Sequence, residues 1–451
     1  MRRSRAVGSS PTKRCGTTKF SKYPRNRNRN SRKTVCVGMN CRGRTLLCVS
    51  VVLHFAVHGQ QRTPIILNYA DSLVSRTIDG EPVRIASGRV EFLHGNVTVR
   101  CDEATQFLYS NKAVLVGAVN VTRDSLHVSA DRGVYYGNEK VMESEGNVRL
   151  KDSAVILHAD FGKYYPDEHR ANFWQNVKVI DTSSIIQADS LTYEEEGARS
   201  VAMGDVRLID SANRMVVFGR KLEHEGSSGY TRVTELPRLL QVDTTSTGGV
   251  DTLFVTSRVM ESVFDTTHRY VATDSVTLVR GELSSRSERM TYEPEQERLL
   301  LRGSPILWYA RTQVSGDSID VHLHHRRANR VLVMGRAFAI SEGDVRYPRR
   351  LDQLTGETMT MTFFEEKVQR IKVDTTATSL YFLYDEGKPN GLNKSSGDSI
   401  ILSFSDGELS DITVIGGVEG EYYPENMVAD RESEYDLAGF QWIENKPRKN
   451  R

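Results

Sequence analysis

The chain has 451 residues, 38% of them hydrophobic, which is enough for a core in more than one structural unit. Its formal net charge is +2, but the charge is distributed unevenly along the chain. Residues 1–59 hold 14 Lys or Arg and no Asp or Glu, so the remainder has 46 basic and 58 acidic residues. This acidic remainder argues against a nucleic-acid partner, because a polyanion requires a clustered basic face.

Residues 1–59 are predicted to be a basic leader that ends in a signal peptide. Residues 1–38 have no apolar period and are predicted to be disordered. Beyond Met39, two arginines precede the apolar run of residues 46–57, which is too short to cross a bilayer and suits a signal-peptide core. The pattern predicts export, with Met39 as a candidate for the true start and a retained membrane anchor as the alternative.

The cysteines agree with an exported chain. Four of the five lie in the leader, so Cys101 alone would remain after cleavage and no intrachain disulfide could form. A lone cysteine of this kind is predicted to be a small core residue.

An internal repeat of 29 residues organises the next part of the chain. The pair Ala130-Asp131 recurs as Ala159-Asp160 and as Ala188-Asp189. The strand-like element ahead of each pair recurs at the same step, at residues 117–121, 146–150, 175–179 and 204–208. Four copies at one spacing predict a repeated structural unit.

Each copy alternates apolar and polar residues, as a half-buried strand requires. Val148 and Leu150 would face one side of the sheet, and Asn147 and Arg149 the other. The recurring Asp interrupts this alternation, which predicts a β-bulge at that position.

The predicted fold class is therefore all-β, an open β-jelly-roll or solenoid-like repeat in two consecutive β units. The units would span residues 60–243 and 251–430, divided by the flexible composition of residues 244–251. Residues 431–451 form a charged tail that is predicted to be loosely ordered.

The apolar face of the repeat has two interpretations. It is either a packed core or a groove for an acyl chain, in which each buried CH₂ group would contribute about 0.8 kcal/mol. A single bulge reverses which parity points inward, so the sequence leaves the inward face open. The candidate lipid-binding residues are Val119, Val121, Val128, Val148, Leu150, Leu157, Val177, Val179, Ile186, Val206 and Leu208.

The GNVxL and LxADxxxYY elements between residues 85 and 225 resemble the OstA-like lipopolysaccharide-transport family. Residues 352–359 and 390–399 look like the long variants of that family in Bacteroidetes-type bacteria. The resemblance implies a periplasmic β-jelly-roll that carries lipopolysaccharide toward the outer membrane, with the lipid A acyl chains in its groove. It also implies that other OstA-like transport components pair with its open sheet edges.

The sequence contains few residue patterns that would indicate a catalytic or metal site. No phosphate-binding GxxxxGK loop, GxSxG elbow or HExxH helix is present, so no enzymatic activity and no cofactor are predicted. His322, His324 and His325 lack a third ligand cluster nearby and are interpreted as a solvated strand end. The alternative to a lipid carrier is a secreted structural or adhesive β-solenoid without lipid cargo.

Overall fold

A computed structural model gives the fold of the protein beyond its leader. The residues it describes are 65–152, 155–181, 184–244, 249–264, 267–365, 367–405 and 408–448. The predicted leader, signal peptide and alternative start lie outside the described residues. Within these ranges no helix has both the length and the apolar character needed to span a membrane.

The described chain is built almost entirely of β-strands. Its 28 strands are β1 Ile66–Tyr69, β2 Ser72–Ile78, β3 Glu81–His94, β4 Val97–Phe107, β5 Lys112–Arg123, β6 Leu126–Tyr136, β7 Val141–Asp152, β8 Val155–Tyr165, β9 Arg170–Ile180, β10 Ser184–Glu194, β11 Arg199–Asp210, β12 Met215–Glu225, β13 Tyr230–Thr234, β14 Arg238–Thr244, β15 Val250–Thr256, β16 Val259–Phe264, β17 His268–Arg280, β18 Leu283–Glu293, β19 Arg298–Arg302, β20 Ile306–Tyr309, β21 Thr312–Ser315, β22 Ser318–His324, β23 Arg327–Glu342, β24 Leu351–Phe364, β25 Lys367–Asp385, β26 Lys388–Ser405, β27 Glu408–Ile415 and β28 Glu419–Tyr423. The helical elements are α1 Glu425–Val428 and the 3₁₀ turns Pro166–Glu168, Glu196–Ala198, Pro294–Gln296 and Glu432–Tyr435.

All described strands belong to one sheet in which the pairings are antiparallel. Most strands pair with the strands immediately before and after them in the chain, because short turns connect them as hairpins. The prediction of an all-β fold is confirmed.

A bulge near the middle of most long strands divides the sheet into two arms. In β6 the pairing with β7 shifts between Ser129 and Arg132, next to the recurring Asp131. We name arm 1 the part of the sheet that contains residues 126–130, and arm 2 the part that contains residues 132–136. Each bulged strand therefore crosses from one arm to the other.

The recurring Asp packs against the opposing strand at each bulge. Gly146 has a φ of 76°, and a Cβ added there would lie 2.7 Å from the Asp131 Oδ2 atom. The Asn147 Nδ2 group donates a hydrogen bond of 2.7 Å to the same oxygen. In the next copy Asn176 donates in the same way to Asp160. The predicted bulge at this Asp is thus confirmed.

The two arms face each other across a shared apolar interior. In β6, Val128 and Ala130 of arm 1 and Tyr135 of arm 2 are buried in the same core cluster. Cys101 lies in that cluster too, and burial raises the pKa of its thiol to about 12. Its prediction as a core residue is confirmed.

The described residues belong to one compact unit. Strands β14 and β15 pair with each other on either side of residues 245–248, so the sheet continues past the predicted division. The assignment of residues 60–243 and 251–430 to two consecutive units stays a prediction.

The C-terminal segment packs against the outer face of arm 1, which differs from the loosely ordered tail expected from its charge. We name residues 424–448 the strap. Val428 and Leu437 of the strap are buried. They share a second apolar cluster with six strand residues that point away from the interior: Phe338, Ile340, Leu351, Leu380, Phe382 and Leu392.

Two buried glutamines hold the strap through its backbone. The Gln353 Oε1 atom accepts a hydrogen bond of 2.8 Å from the Leu437 amide. The Gln313 side chain donates to the Gln441 carbonyl at 2.6 Å and accepts from the Ile443 amide at 2.9 Å. The strap lacks ladder partners, and these side chains supply hydrogen-bond partners to three of its backbone groups.

Candidate functional site

The interior between the arms contains all the residues proposed from sequence to bind lipid. Ten of them are buried, namely Val119, Val121, Val128, Val148, Leu150, Leu157, Val177, Val179, Ile186 and Val206. Leu208 is partly buried and packs against the same cluster. The structure therefore places the side chains of these alternate strand positions on the inward face. Their contact with a lipid stays a prediction.

An apolar cavity of about 410 Å³ lies further along the same interior. Such a volume falls within the usual range of small-molecule sites. The apolar residues that line it come from both arms: Met215, Leu239, Val255, Leu278 and Leu307 from arm 1, and Met290, Leu299, Val321, Val331 and Phe363 from arm 2. Their side chains are aliphatic or aromatic, which suits a hydrocarbon guest.

Charged side chains form the rim of this cavity. Arg280 and Asp251 stand at the ends of arm 1 strands, and Arg326 lies in the turn between β22 and β23. The Arg280 Nε atom donates to Asp251 at 2.6 Å, and the Arg326 Nη1 atom donates to Asp243 at 2.7 Å. The site thus combines an apolar interior with a paired, charged entrance.

The sequence did not indicate this cavity, since none of the eleven proposed residues lines it. The strict repeat ends near residue 225, and short strands such as β13 and β16 interrupt the succession of long ones around the cavity. The one available signal is the apolar run Leu299-Leu300-Leu301, in which Leu299 and Leu301 are buried and Leu300 is not.

A half-buried carboxylate lies on β24 beyond the cavity. Asp352 sits between Leu351 and Gln353, whose side chains face the strap, so its own side chain points to the opposite face. Burial raises the pKa of Asp352 to about 7, although the Phe382 amide, which donates to it at 3.0 Å, acts in the opposite direction.

This carboxylate is expected to make stability depend on pH. Because its folded-state pKa lies above the unfolded value of 3.8, the folded protein binds the extra proton between about pH 4 and 7. Stability should therefore fall as the pH rises through this window. Asp352→Asn should flatten the profile and stabilise the protein at pH 8 by at most about 4 kcal/mol. Urea denaturation at several pH values tests this, with the exposed Asp385→Asn as control; an unchanged profile in Asp352→Asn would contradict it.

The histidines near the cavity form a strand end, as the sequence interpretation predicts. Strand β22 ends at His324, and both His324 and His325 are exposed. Their rings lie 4.2 Å apart, and the His322 Nε2 atom lies 3.7 Å from an Asp320 carboxylate oxygen. In the described part of the chain no group of three or more His, Cys, Asp or Glu side chains is placed to hold a metal ion.

Comparisons with known proteins find one matching family and a similar solved structure. Residues 62–217 match the family described as OstA-like protein. Among solved structures, the chain is similar to LptH of Pseudomonas aeruginosa, described as a periplasmic component of the conserved lipopolysaccharide transport device. That similarity has 13% sequence identity and a TM-score of 0.25, and it covers 32% of this chain and 95% of LptH. No curated protein matches the chain.

The matched range contains the 29-residue repeat with its Gly-turn and Ala-Asp elements. The later segments that resemble long family variants, residues 352–359 and 390–399, lie beyond it, and their resemblance stays a prediction. Over residues 62–217 the chain matches the OstA-like family, in the range that contains its repeated motifs.

Proposed function

We propose that this protein is a periplasmic carrier that binds the acyl chains of lipopolysaccharide between its two arms and passes the lipid toward the outer membrane. The observation that carries the proposal is the apolar cavity of about 410 Å³, which is lined by both arms. An acyl chain needs many weak apolar contacts and no catalytic group, and the interior offers such contacts along its length. The resemblance of the repeat to a lipopolysaccharide-transport family supports the same cargo.

Both ends of the sheet offer sites for transport partners. Ile66 and Val74, on the first two strands, are 56% and 55% exposed, and Ile415, on β27 near the other end, is 48% exposed. A sheet edge with unpaired backbone groups and apolar side chains accepts an added strand. We propose that other OstA-like components pair with these edges.

Photo-crosslinking in cells tests the carrier proposal. A crosslinking amino acid at Leu278 or Val177, which face the interior, should capture lipopolysaccharide. The same amino acid at Arg149 or Lys178, on the opposite parity, should capture little.

Capture only from Arg149 and Lys178 would contradict the proposal and favour a structural or adhesive role. A second observation bears on the same question: depletion of the protein should reduce lipopolysaccharide at the cell surface. An unchanged surface level would also count against the carrier.

A further inference from the structure

The bulges join the two arms along one side of the interior, and the opposite side is bounded by the hairpin turns of both arms. We name these turn-bearing borders margin 1, on arm 1, and margin 2, on arm 2. No backbone ladder links the margins in the described pairings, so side chains must close this side of the interior.

Polar side chains bridge the margins at a regular interval. The margin 1 residues recur at steps of 29 residues: His94, Arg123 and Asp152. Their partners on arm 2 recur at the same step: Tyr135, Tyr164 and Tyr193. His94 and Tyr135 form a hydrogen bond. The Arg123 guanidinium lies 5.3 Å from the centre of the Tyr164 ring. The Tyr193 hydroxyl donates a hydrogen bond of 3.1 Å to Asp152.

Each of these partners lies 41 residues after the margin 1 residue, in a later copy of the repeat. Arg123 extends its bridge further, because it donates to the Pro166 carbonyl at 3.0 Å and pairs with Glu195. Burial raises the pKa of Tyr193, so its hydroxyl stays protonated and donates to Asp152 at physiological pH.

The bridges continue beside the cavity. The Tyr270 hydroxyl of arm 2 donates to Asp210 and accepts from the Asn213 Nδ2 group at 3.1 Å. Next along the margins, Arg326 of margin 2 donates to Asp243 of margin 1 at 2.7 Å, and Arg280 of margin 1 donates to the Arg326 carbonyl at 2.6 Å.

Polar bridges of this kind can be opened at modest cost. When a bridge separates, both partners exchange their mutual hydrogen bond for bonds to water, so the net loss is about 0.5–3 kcal/mol for each bond. On the bulged side the long strands continue covalently from one arm to the other, so that side has no such line of separation. The margins are therefore the side on which the interior can open laterally.

We propose that the bridge of Asp243, Arg326 and Arg280 is a lateral gate to the cavity, which controls how fast an acyl chain enters and leaves. The inference rests on the proposed function, since it takes the cavity as the lipid site. The equivalent bridges at earlier copies of the repeat would keep the chain from escaping sideways, so that it moves along the interior.

Stopped-flow binding of a fluorescent fatty acid, cis-parinaric acid, to the full chain tests this gate. Arg326→Gln and Asp243→Asn each remove the ion pair and should raise both the association and dissociation rates about tenfold. The dissociation constant should change less than about threefold, because both rates change together. Arg330→Gln, at an exposed position on β23, is the matched control and should behave as the wild type.

Two further variants locate the effect. Tyr193→Phe removes a bridge in the earlier repeats and should leave the rates unchanged. Ala328→Trp fills the cavity and should abolish binding, whereas Asn329→Trp, exposed beside it, should not. Thermal melting confirms that each variant is folded.

The outcomes separate the gate from the cavity. One outcome contradicts the gate alone. In that outcome the wild type binds and Ala328→Trp does not, but Arg326→Gln and Asp243→Asn both keep the wild-type rates. The cavity would then still be the lipid site. No binding by the wild type would remove the lipid site and the gate with it.

Discussion

Leu437→Ala is expected to release the strap from arm 1 and to lower the free energy of unfolding by about 2–5 kcal/mol. The Leu437 side chain is 6% exposed and packs in the cluster that covers the outer face of arm 1. Its removal leaves a cavity between the strap and strands whose outward side chains are apolar. Thermal melting and limited proteolysis measure the effect, with cleavage expected within residues 424–448.

Met427→Ala is the matched control, because Met427 lies in the same segment but is 45% exposed. A second variant addresses the polar contacts: Gln353→Leu leaves the Leu437 amide without its acceptor and should cost about 1–3 kcal/mol. If Leu437→Ala and Met427→Ala are equally stable and equally resistant to protease, the strap does not stabilise arm 1.

Gly204→Ala is expected to destabilise the protein by about 3 kcal/mol or more, through backbone strain and steric conflict together. Gly204 has a φ of 103°, and a Cβ there would lie 2.1 Å from the Asp189 Oδ2 atom. Gly197→Ala separates the two causes, because Gly197 has a φ of 74° but no atom within 4 Å of its added Cβ. It should cost only about 1–2 kcal/mol.

Urea denaturation measures both glycine variants. In the double variant Asp189→Ala with Gly204→Ala, the steric conflict is relieved, so the loss should be smaller than the sum of the two single losses. Equal losses in Gly204→Ala and Gly197→Ala would show that the Asp189 side chain does not define the bulge.

The repeat allowed the sequence to predict the local structure of the first part of the chain. The Ala-Asp pair and the alternation around Val148 are short-range signals, and they correctly indicated strands and bulges. They left open which face of each strand points inward. The repeated Asp was interpreted as bulge chemistry, and Asp131 occupies that position.

The margin bridges could not be predicted in the same way, because they join residues 41 positions apart in different copies. The polar residues His94, Arg123 and Asp152 recur at 29-residue steps, which is a visible signal. Only the folded arrangement, however, shows that Tyr164 and Tyr193 are their partners.

The strap illustrates a signal that was present but outweighed by charge. Strand β23 reads Ala337-Phe338-Ala339-Ile340, with apolar residues on both parities, and all four are buried. A strand that is apolar on both faces needs cover on both faces. The apolar residues of the strap, such as Leu437, supply that cover within a segment whose composition suggested loose order.

The hairpin pairing of successive strands also bears on how the protein reaches its folded state. Because most strands pair with their immediate neighbours in the chain, each pairing closes only a short loop, and short loops cost little entropy to close. Each new hairpin can add to the edge formed by the preceding one, as in repeat proteins whose folding propagates from unit to unit. The strap, which follows all the strands, can dock only after β18 to β26 have formed, so its burial completes the fold.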